Sequence, residues 1–214
     1  MTNIGLIGCG MWGRNLARNL AQLQALAAVA DRNQESAEEF ATQFDVVAKP
    51  IDAILNNGDI CGIVVATSAL SHVDLAIRIL NSGKHVYVEK PLALNLADAQ
   101  KVAAAAKKNN RQVMVGHLIR YHAAFIELQE QVRAGAIGKL RHIQANRLAM
   151  GRIRNTESVL FDLCPHDLSL ILALTGLEPT KITCAGASHV THGVVDTLAT
   201  VLGFTGGVSA IMQT

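Results

Sequence analysis

Aromatic residues make up only 4% of this 214-residue chain, too few to build a platform on which bases could stack. Nor is its charge of one sign: 19 Lys and Arg are interspersed with 17 Asp and Glu, for a formal charge of +2. With neither a basic stripe nor a stacking surface, nucleic acid is not an expected partner. The four cysteines, Cys9, Cys61, Cys164 and Cys184, stand far apart with no C-x-x-C pair. Neither a zinc site nor a disulfide framework is therefore indicated, and the thiols are expected to be reduced. No apolar run approaches the length of a membrane span, and a first strand beginning at Asn3 leaves no room for a signal peptide. The expectation is a protein in solution in the cytoplasm, with no metal and no membrane partner.

Half of the residues are hydrophobic, enough to bury a core in one large domain or in one and a half smaller ones. Short apolar strands at Ile4 to Ile7, Ala27 to Ala30, Gly62 to Ala66, His85 to Val88 and Val113 to Val115 alternate with helical spacing at Arg14 to Leu26, Ser36 to Phe44, the stretch after His72 through Leu80, and Asn95 to Lys108. Parallel neighbours need a crossover between them, so this alternation predicts an α/β fold, a doubly wound parallel sheet ending near Gly116. From His117 the rhythm changes. A helix from Ala123 to Ala134, a strand from Leu140 to Leu148, a helix from Pro165 to Leu174 closed by Gly176, and a hairpin of Leu198 to Phe204 and Val208 to Met212 predict an α+β domain with an open, mainly antiparallel sheet. The expected boundaries are a doubly wound, Rossmann-type α/β domain over 1–116 and an α+β domain over 117–214. Because the chain stops directly after a strand, whose edge is normally paired or covered, the second domain is expected to be incomplete.

The first strand runs into Gly8-Cys9-Gly10-Met11-Trp12-Gly13. Gly8 allows the tight turn, Gly10 lets backbone approach a pyrophosphate, and Gly13 lets the helix pack on the strand, while the helix N-terminus offers free N–H groups to phosphates. Asp31, at the end of the second strand, can accept hydrogen bonds from a ribose hydroxyl pair and repel a 2′-phosphate. Strand, helix and acid in this order point to a nicotinamide dinucleotide. Asp31 favours NAD, and Arg32 beside it leaves NADP open.

Lys90 follows His85 to Val88 on the carboxyl side, the edge at which open α/β sheets bind ligands. A lysine there can hold a substrate hydroxyl as its proton leaves; it can equally be a solvated residue capping a strand. Asp162 and His166 lie four apart at a helix start, with Pro165 suited to the first turn. The positive end of the helix dipole favours a neutral imidazole, a usable base whose ring Asp162 could orient. The bland alternative is an acidic cap serving only the free N–H groups.

Taken together, the glycine loop with Asp31, Glu89-Lys90-Pro91 and the Asp162-x-x-x-His166 spacing resemble the Gfo/Idh/MocA family of NAD(P)-dependent sugar and polyol oxidoreductases. The resemblance spans the chain. It implies that Lys90 and His166 are catalytic, that Asp162 assists His166, that Glu89 and the stretch Thr67, Ser68, Leu70 and His72 lie along the cofactor, and that the open sheet mediates homo-oligomerisation. Gly116-His117-Leu118-Ile119-Arg120-Tyr121-His122 and Asn146 to Arg154 resemble the branch acting on nucleotide-linked sugars. This implies substrate contacts from His117, Arg120, Tyr121, Arg147, Arg152 and Arg154, although a basic solvated loop reads the same way. The chain departs from the family in having Cys164-Pro165 where a glycine commonly precedes the histidine helix. It also departs in length, since relatives usually continue by about a third more.

The expected activity is hydride transfer between a secondary alcohol of a sugar, nucleotide-linked, and nicotinamide. The alternatives are a truncated, non-catalytic cofactor-binding protein, and a dehydrogenase of free sugars, inositol or dihydrodiols.

Overall fold

The computed structural model describes residues 3–148 and 157–214. They divide into two compact units, Met1–Gly116 and His117–Thr214. The first is built of β1 (Asn3–Ile7), α1 (Met11–Gln22), β2 (Leu26–Ala30), α2 (Gln34–Phe44), β3 (Val47–Ala48), α3 (Ile51–Asn56), β4 (Ile60–Val65), α4 (Ala69–Asn81), β5 (His85–Val88), α5 (Leu96–Asn109) and β6 (Val113–Val115). Its strands pair in the order β3-β2-β1-β4-β5-β6, and every pairing is parallel. The order reverses between β1 and β4, the switch point at which sheets of this kind open a crevice at their carboxyl ends.

Both faces of this sheet are covered, which is why its strands read as continuous apolar runs rather than alternating ones. On one face Leu6, Val29 and Val64 pack with Ala17 of α1 and with Ala37 and Phe40 of α2. On the other, Ile7, Ile63, Val65 and Val88 pack with Ile54 of α3, Leu75, Ile79 and Leu80 of α4, and Val102 of α5. Each such Leu or Ile contributes about 2 kcal/mol by leaving water.

Three details differ from expectation. Helix α1 starts at Met11 and β2 already at Leu26, because Gln24, at φ 53°, takes the left-handed conformation that ends the helix. Helix α4 begins at Ala69, so Leu70 and His72 belong to its first turn and not to a loop. The pair β3 and α3 has no counterpart in the sequence reading. The strand is two residues long and the helix six, both below the length at which periodicity is visible.

The second unit contains a 3₁₀ turn at Leu118–Tyr121, α6 (Ala123–Arg133), β7 (His142–Asn146), α7 (Val159–Asp162), α8 (Cys164–Thr175), β8 (Pro179–Ala187), β9 (Thr197–Phe204) and β10 (Ser209–Gln213). Its sheet runs β7-β10-β9-β8. β9 is antiparallel to both neighbours and β7 pairs parallel with β10, so the mainly antiparallel sheet read from the sequence is present. Alternation along β9 buries Leu198, Leu202 and Phe204 with Ile171 of α8 and with Met212, and leaves Thr197, Ala199 and Val201 exposed. Gly176 ends α8 in the left-handed conformation, φ 64°, and Gly206 and Gly207 turn the hairpin at φ 74° and 79°. No helix among the described residues is long and apolar enough to cross a membrane.

The amino-terminal edge of the first sheet is fastened by Lys84. Its buried ammonium donates to Asn57 O at 2.6 Å and Ile60 O at 2.7 Å, and burial pushes its pKa below the ordinary lysine range. Lys84→Met removes the charged donor from both carbonyls, although Asn57 O still accepts the Ile60 N–H at 3.3 Å. Urea denaturation should report a loss of about 2 kcal/mol; an unchanged midpoint would show that the fastening contributes nothing.

Candidate active site

The turn after β1 is fixed by contacts that admit no side chain. The Gly8 N–H donates to Ala30 O at 2.8 Å, and Gly8 has φ +109°. A Cβ there would stand 2.5 Å from Ala66 O, and a Cβ on Gly13 would stand 2.0 Å from Gly8 O. Both glycines therefore serve close approach within the protein. Gly10 is different, because nothing lies within 4 Å of where its Cβ would be. It is the N-cap of α1 and makes no side-chain cap, so the first N–H groups of the helix face open space beside bare backbone. This arrangement fits a pyrophosphate, whose negative charge is favoured at a helix N-terminus. Met11 and Trp12, 79% and 43% exposed, border the opening.

Asp31 follows β2. Its Oδ2 accepts the Cys9 N–H at 2.7 Å and its Oδ1 the Asn33 N–H at 2.8 Å. The acid read as a ribose ligand thus also latches the glycine turn to β2, and each oxygen keeps a further lone pair. Arg32 beside it is exposed. The Cys9 thiol is buried, 3.7 Å from Ala30 O. Burial above all, and then the Asp31 carboxylate, push its pKa up to about 12 against the opposing pull of Arg14, leaving a thiol with no nucleophilic character at neutral pH.

The carboxyl ends of β1, β4 and β5 stay in register one residue past the strands. Ala66 N–H donates to Ile7 O at 2.8 Å, Glu89 N–H to Val65 O at 3.0 Å, and Gly116 N–H to Val88 O at 2.8 Å. After β4, Thr67 is half-buried, Ser68 exposed and Leu70 83% exposed. Thr67 Oγ1 meets Ser71 Oγ at 2.7 Å. His72, placed along the cofactor by the family resemblance, is 1% exposed. Its Nδ1 lies 2.7 Å from Pro91 O and its Nε2 3.2 Å from Thr67 O, so its ring stands inside the unit between two backbone carbonyls. Glu89 is likewise buried and accepts the Tyr87 hydroxyl at 3.0 Å. A Cβ on Gly116 would fall 2.7 Å from that hydroxyl and 2.8 Å from Glu89 Oε1. Lys90 comes next, half-buried, at a cis peptide bond to Pro91.

In the second unit Asp162 is the last residue of α7, and His166 lies in the first turn of α8 with Pro165 at the helix start. Both are half-buried. Backbone bonds hold the histidine's turn, from His166 N–H to Leu163 O at 3.1 Å and from Ser169 Oγ to His166 O at 2.7 Å. Asp167, whose side chain is 10% exposed, receives Arg147 in a two-pronged contact, Nε to Oδ2 at 2.8 Å and Nη2 to Oδ1 at 2.7 Å. These bonds push the Arg147 pKa up despite its partial burial. Arg147, read as a substrate ligand, is thus engaged within its own unit. His117 is half-buried, Arg120 exposed and Tyr121 66% exposed, the last two in the 3₁₀ turn. Arg152 and Arg154 lie outside the described residues.

The sequence reading missed the latch on Cys9 N–H, the Tyr87–Glu89 pair with Gly116, the two carbonyls around His72, and the pairing of Asp167, read there as a possible helix cap, with Arg147. One of these carried a signal. Tyr87 and Glu89 are two apart at a strand end and so share a face. The others join segments distant in sequence.

Residues 2–117 match the Gfo/Idh/MocA profile, an oxidoreductase family with an NAD-binding Rossmann fold. The chain belongs to this family. Residues 125–214 match a Gfo/Idh/MocA C-terminal domain. The chain is 35% identical over 189 residues to the UDP-N-acetylglucosamine 3-dehydrogenase of Acidithiobacillus ferrooxidans, covering 87% of this chain and 58% of that protein. The solved structure of UDP-N-acetylglucosamine 3-dehydrogenase from that organism superposes with a TM-score of 0.89 at 31% identity, over 99% of this chain and 66% of that one. The inositol 2-dehydrogenase of Salmonella typhimurium is 26% identical over 224 residues, 98% of this chain and 66% of that protein. The chain thus spans less than two thirds of the length of these curated relatives.

Replacing Arg147 leaves Asp167 nearly enclosed and without its counter-charge. Arg147→Met should lower the stability of the chain by about 2 kcal/mol or more, read by chemical denaturation. No loss would return Arg147 to the residues free for a ligand.

Proposed function

We propose that the chain oxidises a secondary alcohol of a sugar ring, or reduces the corresponding ketone, with NAD as cofactor and a nucleotide-linked sugar as substrate. The observation that carries this reading is the place of Lys90. It leaves β5 at the carboxyl edge, in the order β1-β4-β5 with the glycine turn, on the edge where Gly10 and the α1 N-terminus stand open. Bound nicotinamide supplies the hydride acceptor at C4. The Lys90 ammonium would hydrogen-bond the reacting hydroxyl oxygen and stabilise the negative charge it gains. His166, its ring oriented by Asp162, would take the proton as general base.

Asp31 supports NAD over NADP, since its carboxylate favours the ribose hydroxyls and repels a 2′-phosphate, while the exposed Arg32 is the residue that would favour NADP. The nucleotide-linked substrate is supported by the 35% identity to a UDP-N-acetylglucosamine 3-dehydrogenase and by the exposed Arg120 and Tyr121, a cation and a ring suited to phosphate and base. A free sugar or inositol is the second reading. It is favoured by the engagement of Arg147 with Asp167, which removes one cation from the set available to a diphosphate. The exposed face of the second sheet, with Val201 46% exposed, is proposed to pair with a second copy of the chain.

The test is the formation of reduced nicotinamide with a panel of UDP-sugars, free sugars and inositols. Turnover of a UDP-sugar is expected, and Lys90→Met should lower it about a thousandfold while NADH affinity changes less than about threefold. Full turnover in that variant would remove Lys90 from the chemistry. Cofactor binding with no turnover by the wild-type chain would favour the non-catalytic alternative.

A further inference from the structure

We infer that His72 is a positioning residue that sets the loop of Lys90 against the loop that follows β4. This rests on the activity proposed for Lys90. His72 projects from the first turn of α4, is 1% exposed, and reaches two backbone carbonyls, one nineteen residues further along the chain and one five residues back. One is Pro91 O, at 2.7 Å, in the residue directly after Lys90; the other is Thr67 O, at 3.2 Å, directly after Ala66. Ala66 is the residue whose carbonyl lies against Gly8. A continuous path of close contacts thus runs from the glycine turn through Ala66 and Thr67 to the His72 ring, and from the ring to Pro91 and Lys90.

The chemistry of the ring suits this task. Imidazole is rigid and carries a nitrogen on each of two sides, so a single side chain can stand between two carbonyls at a fixed separation, the neutral ring donating its one N–H to one of them. The Thr67 end is braced separately by its hydroxyl to Ser71 Oγ at 2.7 Å, which in turn donates to Ser68 O at 2.8 Å. Loss of the ring should therefore loosen the Lys90 side more than the Thr67 side. A displacement of about 1 Å in a reacting group is enough to lower a rate by about a hundredfold.

The experiment compares His72→Phe, which keeps a planar ring and no polar atom, with His72→Asn, which keeps an amide donor. In His72→Phe, kcat should fall about 10- to 100-fold, while KM for the sugar and the affinity for NADH change less than about threefold; His72→Asn should recover part of the loss. An unchanged kcat, or a fall that merely follows weakened cofactor binding, would overturn the inference. If the wild-type chain turns over no substrate of the panel, it is the activity reading that fails, and hydrogen exchange then decides the positioning role. Faster exchange of residues 89–93 in His72→Phe, with exchange in β4 and β5 unchanged, supports it; unchanged exchange at 89–93 overturns it.

Discussion

The first unit depends on one close approach, the backbone of Gly8 against the carbonyl of Ala66. A single added carbon would bring the two to 2.5 Å, so the turns that leave β1 and β4 are pressed together at the point where the strand order reverses. From this contact the remaining placements follow. Asp31 holds the glycine turn from the β2 side through the Cys9 N–H, Gly13 holds α1 down upon it, and the stretch after Ala66 leads through His72 to Pro91. What stays open is Gly10 and the start of α1. An opening is left there, with nothing within 4 Å of the place of a Gly10 Cβ, beside turns that backbone contacts hold together.

The polar residues of this edge fall into two kinds, and burial separates them. Glu89 and His72 are enclosed, and each finds its partners inside the unit; they hold loops in place. Lys90, Ser68, Leu70 and Gly10 stand half-buried or exposed and are the groups a ligand can reach. The second unit shows the same division one residue apart. Asp167 is nearly enclosed and clamps Arg147 at the end of β7, while His166 before it is half-buried in the first turn of α8. In both units the residue assigned to chemistry stands next to a buried neighbour that anchors the backbone carrying it.

Much of this was legible in the sequence wherever the signal is local. The spacing of Gly8, Gly10 and Gly13 marks a turn into a helix, the apolar runs mark strands buried on both faces, Gly176 marks a helix end, and Thr205-Gly206-Gly207 marks a hairpin. Helix α1 was read too far because Gln24, which ends it in the left-handed conformation, is not a residue type that announces a stop. The anchoring contacts could not be read at all. Arg147 and Asp167 are twenty residues apart and His72 and Pro91 nineteen, and no pattern along the chain pairs them. The resemblance to the family set His72 beside the cofactor; only the fold shows its ring enclosed between two carbonyls.

The central claim is that a nicotinamide dinucleotide seats its phosphates at Gly10 and the start of α1. The single tryptophan of the chain, Trp12, lies in the first turn of that helix and reports directly on the place. Titration with NADH should give a saturable loss of Trp12 emission. Gly10→Glu, which the open space around Gly10 accommodates but which sets a carboxylate where the phosphates would lie, should fold as the wild type and show no such loss. Equal quenching in the two proteins, or none in the wild type, would contradict the account.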